Sequence, residues 1–134
     1  MFVGILRVAE AFTNSLAETL KPFQLTLSQY SVLQALRHTE PEGLGCREVG
    51  ERLRSRDPDI TRLLNRLEAR GFISRRRERP DRRVVRAQIT ERGRALLKTI
   101  DRLVGRLQAR HLGHLGARKL SALRALLEAT GERL

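Results

Sequence analysis

Apolar residues recur at Phe2, Ile5, Ala9, Phe12, Leu16 and Leu20, in steps of three and four that form one face of a helix. Pro22 ends it. Thr26-Leu27-Ser28-Gln29 has the form of a capping box, in which hydroxyl and amide each satisfy the other's backbone N–H. The helix it opens is predicted to carry Tyr30, Leu33 and Leu36 inward. Pro41-Glu42-Gly43-Leu44-Gly45 is a turn-rich linker. A short helix follows, with Val49 and Leu53 four apart. Asp57-Pro58 is then placed to open a further helix, Asp57 as its N-cap and Pro58 in its first turn. Ile60, Leu63, Leu64 and Leu67 form its buried stripe, and Gly71 is its stop, where positive φ costs nothing.

After Gly71 the period changes from helical to alternating. Phe72 to Arg77 reads as a strand. Val84 to Ile89 reads as a second, with Val85, Ala87 and Ile89 on one face and Arg86 and Gln88 on the other. Arg79-Pro80-Asp81-Arg82 between them has turn chemistry. Thr90 caps a long helix with Leu96, Ile100, Leu103 and Leu107 on its apolar face, running to about Leu112. Gly113 and Gly116 break the chain before a last helix with Leu120, Leu123 and Leu127.

The order is α-α-α-α-β-β-α-α. This is a mainly α fold with a small β-wing, a winged helix-turn-helix over residues 26–92. Helices over 1–24 and 95–134 flank it. Their apolar faces, with Phe2, Ile5, Phe12, Leu123 and Leu127, exceed what one small lobe needs. Dimerisation is the expectation, and completion of a monomer core the alternative.

Two short helices joined by Arg54-Ser55-Arg56 suit DNA, because an α-helix fits the B-form major groove, where each base pair shows a distinct donor and acceptor pattern. The N-terminal turn of the second helix meets the bases in that geometry. Here it holds Asp59, Thr61 and Arg62, just after Arg56. Arginine can bond a guanine edge twice, and threonine can touch a thymine methyl or a phosphate. Arg66 and Arg70, one and two turns on, are better placed for the phosphate backbone. Asp57 and Asp59 are unfavourable near phosphates. Both suit the positive end of the helix dipole, and Asp59 can alternatively accept from a cytosine amino group.

Charge sharpens this reading. The 134 residues hold 27 Lys+Arg and 15 Asp+Glu, a formal net charge of +12, and the pI is near 11.5. From Arg47 to Arg94 there are 16 Arg, no Lys and 8 acids, so two thirds of the excess lies in the middle third of the chain. That is a patch rather than a uniform coat, which favours nucleic acid over a membrane surface. The run from Arg75 to Arg83 holds Arg75, Arg76, Arg77, Arg79, Arg82 and Arg83 against Glu78 and Asp81. It can protect a strand edge by charge. So dense a tip of one sign repels itself without a partner, and Arg77, Arg79, Arg82 and Arg83 are predicted to reach DNA, where a narrow minor groove concentrates negative potential.

Other chemistry is sparse. No nucleophile–base pair or phosphate loop is present, so an enzyme is not expected. The single cysteine, Cys46, precludes an internal disulfide and suits a reducing cytoplasm. No apolar run approaches a membrane span, and Met1 to Val8 lacks the basic stretch that precedes the apolar core of a secretory signal. Cys46 follows Gly45 at a helix start, where a thiol can be activated, though a lone cysteine more often acts as a small hydrophobe. His111 and His114 lie three apart and could share a helix face but lack further ligands to complete a zinc set, so no metal is expected. Tyr30 and His38 suit core packing and a helix end better than a ligand cleft, and no effector site is legible.

The residues resemble the multiple-antibiotic-resistance regulator (MarR) family. Leu27 to Leu36 resembles its second helix, and Ile60 to Ile73 its recognition helix and exit. Asp81-Arg82-Arg83, five residues to Gln88, then Ile89-Thr90-Glu91-Arg92-Gly93, matches its wing motif of Asp-x-Arg, five residues, an apolar residue and Thr. The resemblance covers nearly the whole chain. It implies a homodimer with intertwined terminal helices that offers two recognition helices and two wings to a pseudo-palindromic operator. It also implies repression relieved by a small aromatic or phenolic effector, with no resident cofactor. By the same resemblance Asp81 orients the wing through an ion pair and Arg83 is the wing arginine. The family's peroxide-responsive branch carries a cysteine near the first helix, and this chain has none there. The expected function is therefore sequence-specific double-stranded DNA binding by a transcriptional regulator, and the alternative is a nonspecific, architectural DNA-binding protein.

Overall fold

A computed structural model describes residues 1–53, 59–78 and 83–134. Helix α1 spans Phe2–Leu20 and passes through a 3-10 turn, Lys21–Phe23, into α2, Leu27–His38. Strand β1, Leu44–Gly45, leads into α3, Cys46–Leu53, and α4 is Ile60–Ala69. Strands β2, Ile73–Arg77, and β3, Val85–Ile89, form the wing. Helix α5, Glu91–Leu112, and α6, Gly116–Gly131, follow, with the 3-10 turn Gly113–Leu115 between them.

Caps and turns sit largely where local chemistry puts them. Thr26 Oγ1 accepts from Gln29 N at 3.1 Å, and Gln29 Oε1 accepts from Thr26 N at 3.0 Å, closing the capping box. That exchange also satisfies Gln29, a buried polar side chain. Thr90 Oγ1 accepts from Gly93 N at 3.1 Å and donates to Gly71 O at 2.6 Å, so one hydroxyl caps α5 and ties it to the exit of α4. Gly71 has φ +78°, as its stop position requires. Gly93 is needed for a different reason. A Cβ there would lie 2.3 Å from the Phe72 carbonyl oxygen, so α5 can press against the β2 entry only without a side chain.

The expectation that Asp57 caps the recognition helix is revised. Helix α4 begins at Ile60, and Asp59 is its N-cap, with Oδ1 accepting from Arg62 N at 3.2 Å. Asp57 and Pro58 lie outside the described residues. The linker reading of Pro41 to Gly45 is also incomplete. Leu44 pairs with Ala87 and Gly45 with Arg86, so among the described residues the sheet has three antiparallel strands in the order β1-β3-β2. A strand of two residues is too short to show a period, and its ladder partner lies some forty residues on. In the wing proper, Ile73 faces Ile89 and Arg77 faces Val85. Ala87 and Ile89 are buried, as the alternation predicts.

One core serves the winged lobe. Leu20, Val32, Leu33, Leu36, Val49, Leu67, Leu97 and Ile100 are fully buried at its centre. Along α5 the buried line is Gly93, Leu97 and Ile100, with Leu96 only half-buried. The face expected at Leu96, Ile100, Leu103 and Leu107 therefore serves two neighbours: Ile100 is buried in the lobe with Leu96 packed against the same core, while Leu103 and Leu107 border a cleft with Glu18 and Thr19 of α1. The terminal helices differ from the rest. Leu20 is the sole buried residue of α1, and α6 has none. Phe2, Val3, Ile5, Leu6, Leu126 and Leu127 are exposed.

Candidate nucleic-acid interface

Helix α4 is amphipathic with a sharp boundary. Leu63, Leu64 and Leu67 are buried against the lobe, while Thr61, Arg62, Asn65 and Arg66 are exposed on the opposite side. Asp59 caps the helix and also lies 3.6 Å from the Arg62 guanidinium, one turn on. The carboxylate thus meets the helix dipole and steadies an exposed arginine at the turn expected to meet base edges. Cys46, at the start of α3, places its sulfur 3.8 Å from Thr61 Oγ1. It is exposed at a cavity of about 500 Å³ between α3, α4 and the wing, bordered by Thr61, Leu64, Arg75 and Ala87.

The wing is braced from both sides. Arg75 on β2 donates to both carboxylate oxygens of Glu68 on α4, at 3.1 and 3.2 Å, and to Asn65 Oδ1 at 2.6 Å. This fork holds the Glu68 carboxyl below its ordinary pKa and raises that of Arg75. Ionised Glu68 therefore favours the folded state. That contribution is present above the unfolded carboxylate pKa and fades as pH falls through the lower folded value. Arg86 on β3 pairs with Glu78 and lies 3.6 Å from Glu48 on α3. The Glu78 hydrogen bond raises the Arg86 pKa. Glu48 Oε1 in turn accepts from Gly45 N at 3.3 Å, fixing the first turn of α3.

These contacts sort the arginines. Arg75, part of the charged tip in sequence, is turned into the protein as a brace between wing and recognition helix. Arg70, expected to face the phosphate backbone, donates to the Gln24 and Phe23 carbonyls at 2.7 and 2.8 Å and lies over the Phe72 ring. Sequence places both outward because it shows the charge but not its partner. Arg62, Arg66, Arg76, Arg77 and Arg83 are exposed on the lobe. Arg54, Ser55, Arg56, Arg79, Asp81 and Arg82 lie outside the described residues. Sequence assigns no bracing role to Glu48, Glu68, Glu78 or Asn65. The available signal was the interleaving of acids within an arginine-rich stretch.

Elsewhere, the His111 ring lies 5.7 Å from Phe12, and among the described residues no group of three side chains could hold a metal ion. Tyr30 is half-buried and its hydroxyl accepts from Gln34 at 2.6 Å. Arg37 links Gln34 to Asp101 on α5, at 2.7 Å to each. No helix among the described residues is long and apolar enough to cross a membrane.

The family model described as Transcriptional regulator SarA/Rot matches residues 15–100. The structure of a MarR transcription factor from Planctomyces limnophilus is 36% identical, with a TM-score of 0.73, and the match covers 96% of this chain and 93% of that one. This chain belongs to the MarR/SarA family of winged-helix transcriptional regulators. The HTH-type transcriptional regulator TtmR of Methylorubrum extorquens (strain PA1) is 40% identical over 98 residues, 73% of this chain. The chain spans about half the length of that curated relative, 49%. The transcriptional repressor CouR, solved bound to a 23-mer DNA duplex, is 29% identical with a TM-score of 0.84, covering 96% of this chain and 89% of that one. CouR from Rhodococcus jostii RHA1 has also been solved bound to p-coumaroyl-CoA, at 26% identity and a TM-score of 0.81, covering 96% of this chain and 90% of that one. The winged helix-turn-helix expected for this MarR-family chain is thus its fold.

Proposed function

We propose that this MarR-family protein is a sequence-specific, double-stranded DNA-binding transcriptional regulator that engages a pseudo-palindromic operator as a homodimer and represses until a small aromatic or phenolic effector releases it. The observation that carries the DNA reading is the split face of α4. Three leucines anchor the helix in the core, leaving Thr61, Arg62, Asn65 and Arg66 outward, with a wing braced to its side. Base contacts are assigned to Arg56, Thr61 and Arg62 and a phosphate contact to Arg66, with Arg54 and Ser55 beside them at the DNA and Asp59 capping the helix at the same surface. The wing contributes Arg77, Arg79, Arg82 and Arg83, with Asp81 orienting it. The lobe is 26–92, and 1–24 with 95–134 supply the dimer arms, whose exposed apolar residues support that role. The effector class rests on CouR, an aromatic thioester binder of the same fold. The protein is assigned to the cytoplasm.

Selection of bound duplexes from a random pool at about 150 mM salt, where nonspecific binding is weak, should recover an inverted repeat with half-sites about one helical turn apart. Binding without a shared motif would replace this reading with nonspecific, architectural binding. On the recovered site, Arg62→Ala is expected to relax preference at one base position per half-site and to cost roughly 1–3 kcal/mol. A loss equal on all sequences would reassign Arg62 to phosphate.

A further inference from the structure

We infer that Arg70 is a positioning residue that sets the angle of the recognition helix, and so the half-site spacing the dimer accepts, by tying the end of α4 to the 3-10 turn that follows α1. The inference rests on the operator-binding reading above.

Arg70 is the C-cap of α4. Its Nη1 donates to Gln24 O at 2.7 Å and its Nη2 to Phe23 O at 2.8 Å. The guanidinium carbon lies 4.8 Å from the Phe72 ring centre, with Arg92 at 5.5 Å from the same ring. The acceptors close the 3-10 turn that follows α1, where Gln24 takes a left-handed φ of 54° and its N–H bonds to Lys21 O. Carbonyls at a helix end carry the negative end of the dipole. A planar guanidinium meets two of them at once, which an ammonium cannot do in the same fixed plane.

The consequence is directional. Leu63, Leu64 and Leu67 set how deeply α4 sits, but apolar contact is non-directional and tolerates small rotations. Two hydrogen bonds at one end do not. Ten residues of helix span about 15 Å, so a tilt of about 4° at Arg70 moves the Thr61–Arg62 turn by about 1 Å. The partner of Arg70 is the 3-10 turn after α1 rather than the wing. The recognition helix is thereby indexed to the arm assigned to the dimer, across 46 and 47 residues of sequence.

The test compares wild type with Arg70→Met, which keeps the aliphatic stem, and Arg70→Lys, which keeps the charge. Each binds the selected inverted repeat and versions with the half-sites moved apart or together by one and two base pairs, over a salt series. Far-UV circular dichroism checks that each variant is folded. Both variants should lose at least tenfold of the wild-type preference for the native spacing, with the slope of log affinity against log salt unchanged. Preference retained by both, with only a lower melting temperature, would reduce Arg70 to a stabilising contact and overturn the inference. So would a salt slope smaller by about two units per dimer in Arg70→Met alone, the mark of a lost phosphate contact in each protomer. A wild type with no preference for any spacing would overturn the operator reading, and this inference with it.

Discussion

Ile5→Glu combined with Leu6→Glu is expected to convert the protein to a 15.3 kDa monomer at micromolar concentration and to weaken operator binding at least 100-fold. Helix α1 buries only Leu20 within its own chain. Phe2 is 83% exposed, Leu6 66% and Ile5 56%. Apolar surface of this kind gains about 25 cal/mol per Å² when a partner covers it, and two carboxylates introduced there would have to be taken out of water for the pair to form. A protomer that cannot pair loses the second half-site contact, and linked binding of two modules is commonly worth a factor of 10² to 10⁴. Sedimentation velocity reads the mass, and a salt-matched titration of the selected duplex reads the affinity. A double variant that still sediments as a dimer would place the interface elsewhere.

Leu67→Ala is expected to lower the unfolding free energy by about 2–5 kcal/mol, against a total of about 5–15 kcal/mol for a domain of this kind. Leu67 is fully buried at the centre of the lobe, on the stripe of α4 that also carries Leu63 and Leu64. Truncation removes transfer free energy and leaves a cavity between rigid helices. The melting temperature should fall by on the order of 10 °C. Arg66→Ala, one residue away and exposed, is the control. It should move stability by no more than about 0.5 kcal/mol while lowering the salt slope by about one unit per protomer. A small effect at Leu67 with a large one at Arg66 would mean that α4 is turned about its axis relative to the face described.

How much of this was legible in the sequence divides along one physical line. Features made by residues close in the chain were readable. The Thr26–Gln29 capping box, the Thr90 cap, the positive φ of Gly71 and the inward alternation of Ala87 and Ile89 depend on partners a few residues away or on a period along one segment. The inward stripe of α4 follows from the same logic. It left Thr61, Arg62 and Arg66 on the outer face without reference to any other element.

What the tertiary structure decided concerns pairing across distance. A guanidinium presents the same chemistry wherever it occurs, so sequence placed Arg70 and Arg75 outward with the other arginines. Only the fold brings Arg70 to the Phe23 and Gln24 carbonyls and Arg75 to Glu68 and Asn65. Asp57 and Asp59 both suit a cap locally, and the start of α4 at Ile60 gave the role to Asp59. Strand β1 exists because β3 offers it a ladder at Arg86 and Ala87, two residues that its own segment cannot anticipate. Composition and period thus determined which helices form and which face of each is apolar. The assembled lobe determined which charges brace its interior and which are left to meet a partner, because charge pairing depends on distance in space, which composition and period do not encode.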